Sequence, residues 1–305
     1  MRYVILILTL ILTSTSLVSA QEQTPYDIAL ERILEVQLSG STILPLHNLG
    51  LTEIPSEIGS LTNLTWLSLD NNLLSTLPSE IANLINLTWL SLNDNEFSDL
   101  PTEIGYLANL QNLYLHNNNL SNLTIQIGYL SKVEFLSLND NNLNALPREI
   151  GNLTSLQWLS VHNNNLHEIP VEISYLTTLT WLYLDDNQLI ELPSEIDKLT
   201  NLCYLDISNN KLQVLPFGLS LLDYLYQGDC QLDVSSNPLI SPPPEVVDQG
   251  TSAILDYLEN RALWHFQRLM LSVLGSLGLI VLVILGLRHR QRGQRKPKQK
   301  RGNVS

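Results

Sequence analysis

Between Leu51 and Leu212 the apolar positions recur every 23 residues, at Leu51, Leu74, Phe97, Leu120, Leu143, Leu166, Leu189 and Leu212. Inside each interval the spacing changes character. Leu67 and Leu69 alternate with Trp66, Ser68 and Asp70, the period of two that marks a short strand with its leucines turned inward. Further on, Pro78, Pro101, Pro147, Pro170 and Pro193 each stand two residues before a Glu. That spacing predicts short helical turns, opened by proline and with a carboxylate near the positive end. A unit this small cannot bury its own apolar face, so successive units must stack their strands in parallel and share one core.

The full unit reads Leu61-Thr62-Asn63-Leu64-Thr65-Trp66-Leu67-Ser68-Leu69-Asp70-Asn71-Asn72-Leu73-Leu74, then Ser75-Thr76-Leu77-Pro78-Ser79-Glu80-Ile81. Here the chain resembles the leucine-rich-repeat family, matching LxxLxLxxNxL followed by LPxEIxxL over about residues 41 to 260. The resemblance implies an α/β solenoid: a parallel concave β-sheet, with short helical or irregular segments on the convex side. It is specific for fold and says little of function beyond the protein binding that such arrays most often serve. Asn72, Asn95, Asn118, Asn141, Asn164, Asn187, Asn210 and Asn237 follow the strands, where an amide can satisfy backbone groups of the turn and its neighbour. Three places depart from the pattern. Leu49 takes the Asn position in the first unit, Thr124 replaces Pro and is expected to loosen its convex turn, and the unit at Leu232 comes four residues late. A helix from about Ser252 to Leu263 is expected to cover the last exposed core face.

Outward residues of stacked strands form columns across the concave face. The column before the second strand leucine holds Trp66, Trp89, Asn112, Phe135, Trp158, Trp181 and Tyr204, and aromatic surface of that extent marks contact with a partner. The next reads Ser68, Ser91, Tyr114, Ser137, Ser160, Tyr183 and Asp206, small residues expected to leave room beside the rings. Beyond it, Asp70, Asp94, Asp140, Asp185 and Asp186 add negative charge. Rings with acids alongside suit a protein or peptide bearing basic groups, or a glycan stacked on the rings. The alternative is an aromatic ladder that only stabilises the sheet.

Charge and hydropathy then set the compartment. All 30 acids lie between Glu22 and Glu259, and eight of the 16 Lys and Arg between Arg288 and Arg301. Residues 21–268 hold seven basic residues against 30 acids, a net of −23, which repels nucleic acid. Residues 1–20, with Arg2, an apolar run from Tyr3 to Leu12 and Val18-Ser19-Ala20, have the form of a secretory signal peptide. Leu269 to Leu287 are uncharged and mostly apolar, and a helix of that length spans the roughly 30 Å hydrocarbon core. The basic run after it predicts a cytoplasmic tail and an extracellular repeat region. Ser272 and Ser276 have the spacing of a close helix pair, which makes a homodimer conceivable without supporting it. The expected organisation is a signal peptide over 1–20, a cap region over 21–40 and the solenoid over 41–240. A capping helix and juxtamembrane segment over 241–264, a transmembrane helix over 265–287 and a basic tail over 288–305 follow.

Cys203 and Cys230 occupy the same position in adjacent units, within disulfide reach at the strand spacing of about 4.8 Å. An exported domain meets oxidising conditions, which favours the bond over two reduced thiols side by side. No GxSxG, Walker loop, HExxH or Cys/His zinc cluster occurs in the sequence, and the expectation is a binding module without cofactor rather than an enzyme. His116 and His162 stand two units apart, about 10 Å, too far to share a metal. Asp185 and Asp186 as strand neighbours point to different sides, which disfavours Ca²⁺. The sequons at Asn63, Asn86, Asn122 and Asn152 fall where the repeat places Asn and Thr anyway. The reading is a membrane-anchored extracellular module that binds a protein or peptide; a glycan-binding adhesin or a structural envelope scaffold is the alternative.

Overall fold

Each strand is three residues long because its role is to carry one inward leucine. Trp66–Ser68 (β2) buries Leu67 completely and turns its two ends outward, and Trp89–Ser91 (β3) does the same with Leu90. A computed structural model describes residues 23–274 and places nine such strands in one parallel sheet in chain order. They are Ile43–Pro45 (β1), β2, β3, Asn112–Tyr114 (β4), Phe135–Ser137 (β5), Trp158–Ser160 (β6), Trp181–Tyr183 (β7), Tyr204–Asp206 (β8) and Gln231–Asp233 (β9). Each residue pairs with its equivalent one unit later, as Trp66 with Trp89 and Trp158 with Trp181. That register is what turns a sequence period into a surface column.

Behind the sheet, leucines from every unit merge into one continuous core, in which Leu69, Leu74, Ile81, Leu84 and Leu87 are fully buried. The convex side is a row of five-residue 3-10 helices, such as Ser79–Asn83 and Arg148–Asn152, both preceded by proline in extended conformation. The expected loosening at Thr124 does not occur. Its φ of −59° and ψ of 141° match those of the prolines, and Ile125–Tyr129 forms the same 3-10 turn. Proline makes this entry geometry cheap, but an extended threonine reaches it too, and its hydroxyl is held by Gln126.

Two helices close the ends. Pro25–Ser39 (α1) starts at a capping box between Thr24 and Asp27, stops at the left-handed Gly40, and lays Ala29 and Ile33 on the first unit. After a short helix Pro244–Val247 (α2), the helix Thr251–Leu274 (α3) buries Ile254, Leu255 and Leu258 against the last turns of the array. It starts where expected but runs unbroken through the residues set aside as a juxtamembrane segment. Thr251 also guards the sheet edge: its hydroxyl accepts from Leu232 N–H at 3.1 Å and donates to Leu232 C=O at 3.3 Å. At the other edge, Pro45 in β1 blocks one ladder position.

The extra four residues before Leu232 fold as a second 3-10 segment, Asp223–Tyr226. Cys203 and Cys230 form a disulfide with 4.7 Å between their Cα atoms, clasping β8 to β9 across that insertion. Among the described residues no helix is long and apolar enough to cross a membrane. The signal peptide over 1–20, the tail over 288–305 and the part of the expected transmembrane helix beyond Leu274 lie outside the described residues.

Candidate functional site

The concave face is built from strand positions one and three, and the register delivers the expected columns. Trp66, Trp89, Asn112, Phe135, Trp158, Trp181 and Tyr204 are consecutive partners across β2 to β8. The rings are half-buried, and Trp181 is the most open at 39 % exposure. They pack diagonally against tyrosines of the neighbouring column: Trp89 on Tyr114 at 4.7 Å between centroids, Trp158 on Tyr183 at 5.7 Å, and Tyr183 on Tyr204 at 4.9 Å. The tilted geometry suits the ring quadrupoles. Burial alone raises the hydroxyl pKa of Tyr114. The serines of that column leave no room beside the rings, since Ser68, Ser91, Ser137 and Ser160 are themselves buried. The side chains around them close over a residue that small.

The acids fall in two places. Asp70 and Asp185 lie on the concave face in one column with Asn93, His116, Asn139, His162 and Ser208. Asp94, Asp140 and Asp186 come one residue later, in the turn, where φ is positive in every unit: Asn71, Asp94, Asn117, Asp140, Asn163, Asp186 and Asn209 all lie between 51° and 57°. Side chains other than Asn and Asp reach this left-handed region rarely. The turn acids are held by the next unit, since Asn117 Nδ2 donates to Asp94 and Asn163 Nδ2 to Asp140, both at 2.7 Å. His116 Nε2 also stands 3.6 Å from Asp94 Oδ2. Burial opposes ionisation of Asp140, but hydrogen bonds from Asn163 and Asn139 and the charges of His162 and His116 outweigh it and lower its pKa.

The next asparagine in each turn makes the scaffold rigid. Asn141 Nδ2 donates to the carbonyls of Leu115, Leu138 and Asn139 at 2.9, 3.0 and 3.1 Å, and its Oδ1 accepts from Leu120 N–H at 3.0 Å. Asn72, Asn95, Asn118, Asn164, Asn187 and Asn210 repeat the pattern. These buried amides satisfy backbone groups of adjacent units and are not available to a ligand.

Asp185 differs from the other acids among the described residues. Its Oδ1 is buried with no hydrogen-bond partner. Burial first, then the charge of Asp206, raises its pKa against the weaker pulls of His162 and a backbone hydrogen bond. Tyr204 beside it is raised as well, by burial and then by Asp206, Tyr183, Asp233 and Asp185. Asp233, the register partner of Asp206 on β9, extends this acidic corner. The late ninth unit takes Asp233 out of the 23-residue frame, and the 27-residue offset that aligns Cys203 with Cys230 also aligns it with Asp206. Among the described residues no three His, Cys, Asp or Glu side chains converge as metal ligands.

Family models described as leucine-rich repeat region match residues 79–163 and 120–190, and those described as leucine rich repeat match 63–84 and 201–222. No curated protein matches the sequence. Among solved structures, a leucine-rich-repeat protein of Leptospira interrogans is 33% identical with a TM-score of 0.59, over 70% of this chain and 66% of that one. The leucine-rich-repeat ectodomain of a membrane receptor kinase of Arabidopsis thaliana, in complex with Casparian strip integrity factor 2, is 32% identical with a TM-score of 0.50, over 65% of this chain and 27% of that one. A plant peptide hormone receptor in complex with RGF2 is 30% identical with a TM-score of 0.52, over 65% and 40%. The chain thus spans just under two thirds of the Leptospira protein and well under half of either receptor. The matched models, the nine-stranded parallel sheet and the repeated asparagine ladder together place this chain in the leucine-rich-repeat family.

Proposed function

We propose that the chain is a membrane-anchored extracellular binding module that captures a protein or peptide on its concave face. The observation that carries this reading is the half-exposed aromatic column of Trp66, Trp89, Phe135, Trp158, Trp181 and Tyr204, held in register on a rigid sheet. Preformed aromatic surface binds at low entropic cost because the rings lose little freedom on contact. The family's fold is typical of protein-interaction modules rather than enzymes, and two of the similar structures are receptors in complex with their ligands. Three features support the extracellular, anchored placement: the leader-like residues 1–20, the apolar run Leu269–Leu287 followed by eight basic residues, and the Cys203–Cys230 disulfide.

Replacing Trp89, Trp158 and Trp181 together by alanine tests the role of the face. A binding module loses ligand capture at intact cells while its thermal unfolding stays cooperative. A scaffold, in which the rings only brace the sheet, loses stability and keeps whatever contacts it makes in proportion to the folded fraction. Protease added outside intact cells should cleave the repeats and spare a tag at residue 305; the reverse pattern removes the proposed orientation.

A further inference from the structure

The two acids that occupy the same concave position, Asp70 and Asp185, are five units apart and treated in opposite ways by the chain. Asp70 is saturated. Its Oδ1 accepts from Ser91 Oγ at 2.5 Å and from Asn93 N–H at 2.9 Å, and its Oδ2 from Ser68 Oγ at 2.9 Å. At the positions equivalent to Ser68, Ser91 and Asn93, Asp185 meets Tyr183, Asp206 and Ser208. One serine donor has become a ring and the other a second carboxylate. That carboxylate also takes the remaining donors, since Ser208 N–H and Oγ both give to Asp206 Oδ1, at 3.0 and 2.7 Å. Asp185 is therefore left with an oxygen that no donor among the described residues reaches.

Around this unmet oxygen the face is aromatic and negative. Trp158, Tyr183 and Tyr204 form a continuous ring contact, and Asp206 with Asp233 borders it on β8 and β9. The ion pairs His116–Asp94 and Arg148–Glu149 lie elsewhere. A buried carboxylate oxygen without a donor is costly unless something supplies one. What this surface lacks is a group that stacks flat on a ring while giving several N–H donors to carboxylates at its edge, which describes a guanidinium better than an ammonium.

We infer that the carboxyl-terminal end of the concave face, at Trp158, Tyr183, Asp185, Tyr204 and Asp206, is a subsite for an arginine side chain of the bound polypeptide. The inference rests on the reading that the concave face binds protein, and it adds which residue of the ligand that end selects. At the other end of the face the same column position is closed, because serine hydroxyls already hold Asp70. An extended ligand is therefore read with polarity: its arginine goes to β7 and β8, and its uncharged part to the rings of β2 and β3.

The test uses the full chain and two neutral-capped probes, N-acetyl-arginine-methylamide and its citrulline counterpart, compared by ligand-observed NMR titration. Citrulline keeps the shape and loses the charge. The arginine probe should bind about tenfold more tightly, the difference expected of one cation–π contact with a partly desolvated ion pair. Asp206→Ser, which restores one of the two serine donors found around Asp70, should abolish the preference, and so should Asp185→Asn. Asp99→Asn, the same loss of charge on an exposed residue outside the strands, should leave it unchanged. Equal binding of the two probes by the parent chain overturns the subsite, as does equal loss of preference in Asp99→Asn, which would mean diffuse attraction to an acidic surface. An N-acetyl-lysine-methylamide probe that binds as well as arginine overturns the guanidinium assignment. Failure here leaves the broader reading standing if the triple tryptophan variant still loses capture. If that variant captures normally while arginine binds as expected, the broader reading fails and the subsite remains as an isolated cation site.

Discussion

At the scale of single residues, the same side-chain type does different work according to what the neighbouring unit brings to it. Asp140 and Asp185 show this most clearly, because their pKa values move in opposite directions. A lowered carboxylate adds stability above its unfolded pKa, and that contribution is lost as pH falls through the folded value. A raised one behaves inversely: its contribution is present below the unfolded value and lost as pH rises through the folded value. Asp140→Asn should therefore lower the melting temperature at neutral pH, with the deficit shrinking towards pH 3. Asp185→Asn should raise it at neutral pH, with that gain also vanishing in acid, because burial and Asp206 no longer oppose a charge. Melting curves of the two variants from pH 3 to 7 check both signs, and parallel curves would mean that neither carboxylate is perturbed in the folded chain. The sequence displayed all of these acids but not their roles. Whether an acid is satisfied depends on donors about 23 residues away, and on whether it sits on the strand or one residue later in the left-handed turn. The run Asn-Asp-Asn or Asp-Asp-Asn does not by itself say which member takes that turn.

At the scale of the repeating element, the convex side is set by how closely one 3-10 helix can approach the next. A Cβ placed on Gly151 would stand 2.5 Å from the carbonyl oxygen of Glu172 and 2.9 Å from its Cβ. The equivalent position one unit later is Ser174, whose buried hydroxyl has no hydrogen-bond partner. Opposite outcomes follow at one structural position. Gly151→Ala should cost about 1–3 kcal/mol, because backbone must move to admit the methyl. Ser174→Ala should be neutral or stabilising by up to about 1 kcal/mol, because it removes an unsatisfied polar group and fills nearly the same space. Urea denaturation reads both; a destabilised Ser174→Ala would mean that the hydroxyl has a partner in solution. Strand leucines and the proline-led turns were legible because each is dictated locally and recurs in nearly every unit, and the parallel order because such units must stack. The threonine at 124 misled because proline's φ is one that other residues also adopt. The 3-10 segment Asp223–Tyr226 was hidden because it lies in the insertion that shifts the ninth unit out of frame.

At the scale of the whole molecule, each unit touches only its neighbours, so stability is held as a chain of interfaces closed by a cap at each end. The need for a carboxyl-terminal cap was legible, since an array of exposed leucine edges must end on something. Its length was not, because the amphipathic part that covers the core and the apolar part beyond it make one continuous helix, Thr251–Leu274. That continuity couples whatever holds the far end of α3 to the last units of the solenoid, the region that also carries Asp185, Asp206 and the disulfide. Leu258 is 2 % exposed in this contact, and Leu258→Asp would place a charge against the core at a cost of several kcal/mol. In a nearest-neighbour array the damage should stay local. Hydrogen exchange should show the amides of Leu232 and Leu205 losing protection while those of Leu67 and Leu90 keep theirs. Reducing the Cys203–Cys230 bond in the same variant should carry the loss further along the sheet, because a 27-residue closure no longer restrains the frayed end. Uniform loss from β2 to β9 would show instead that the array unfolds as a single cooperative body.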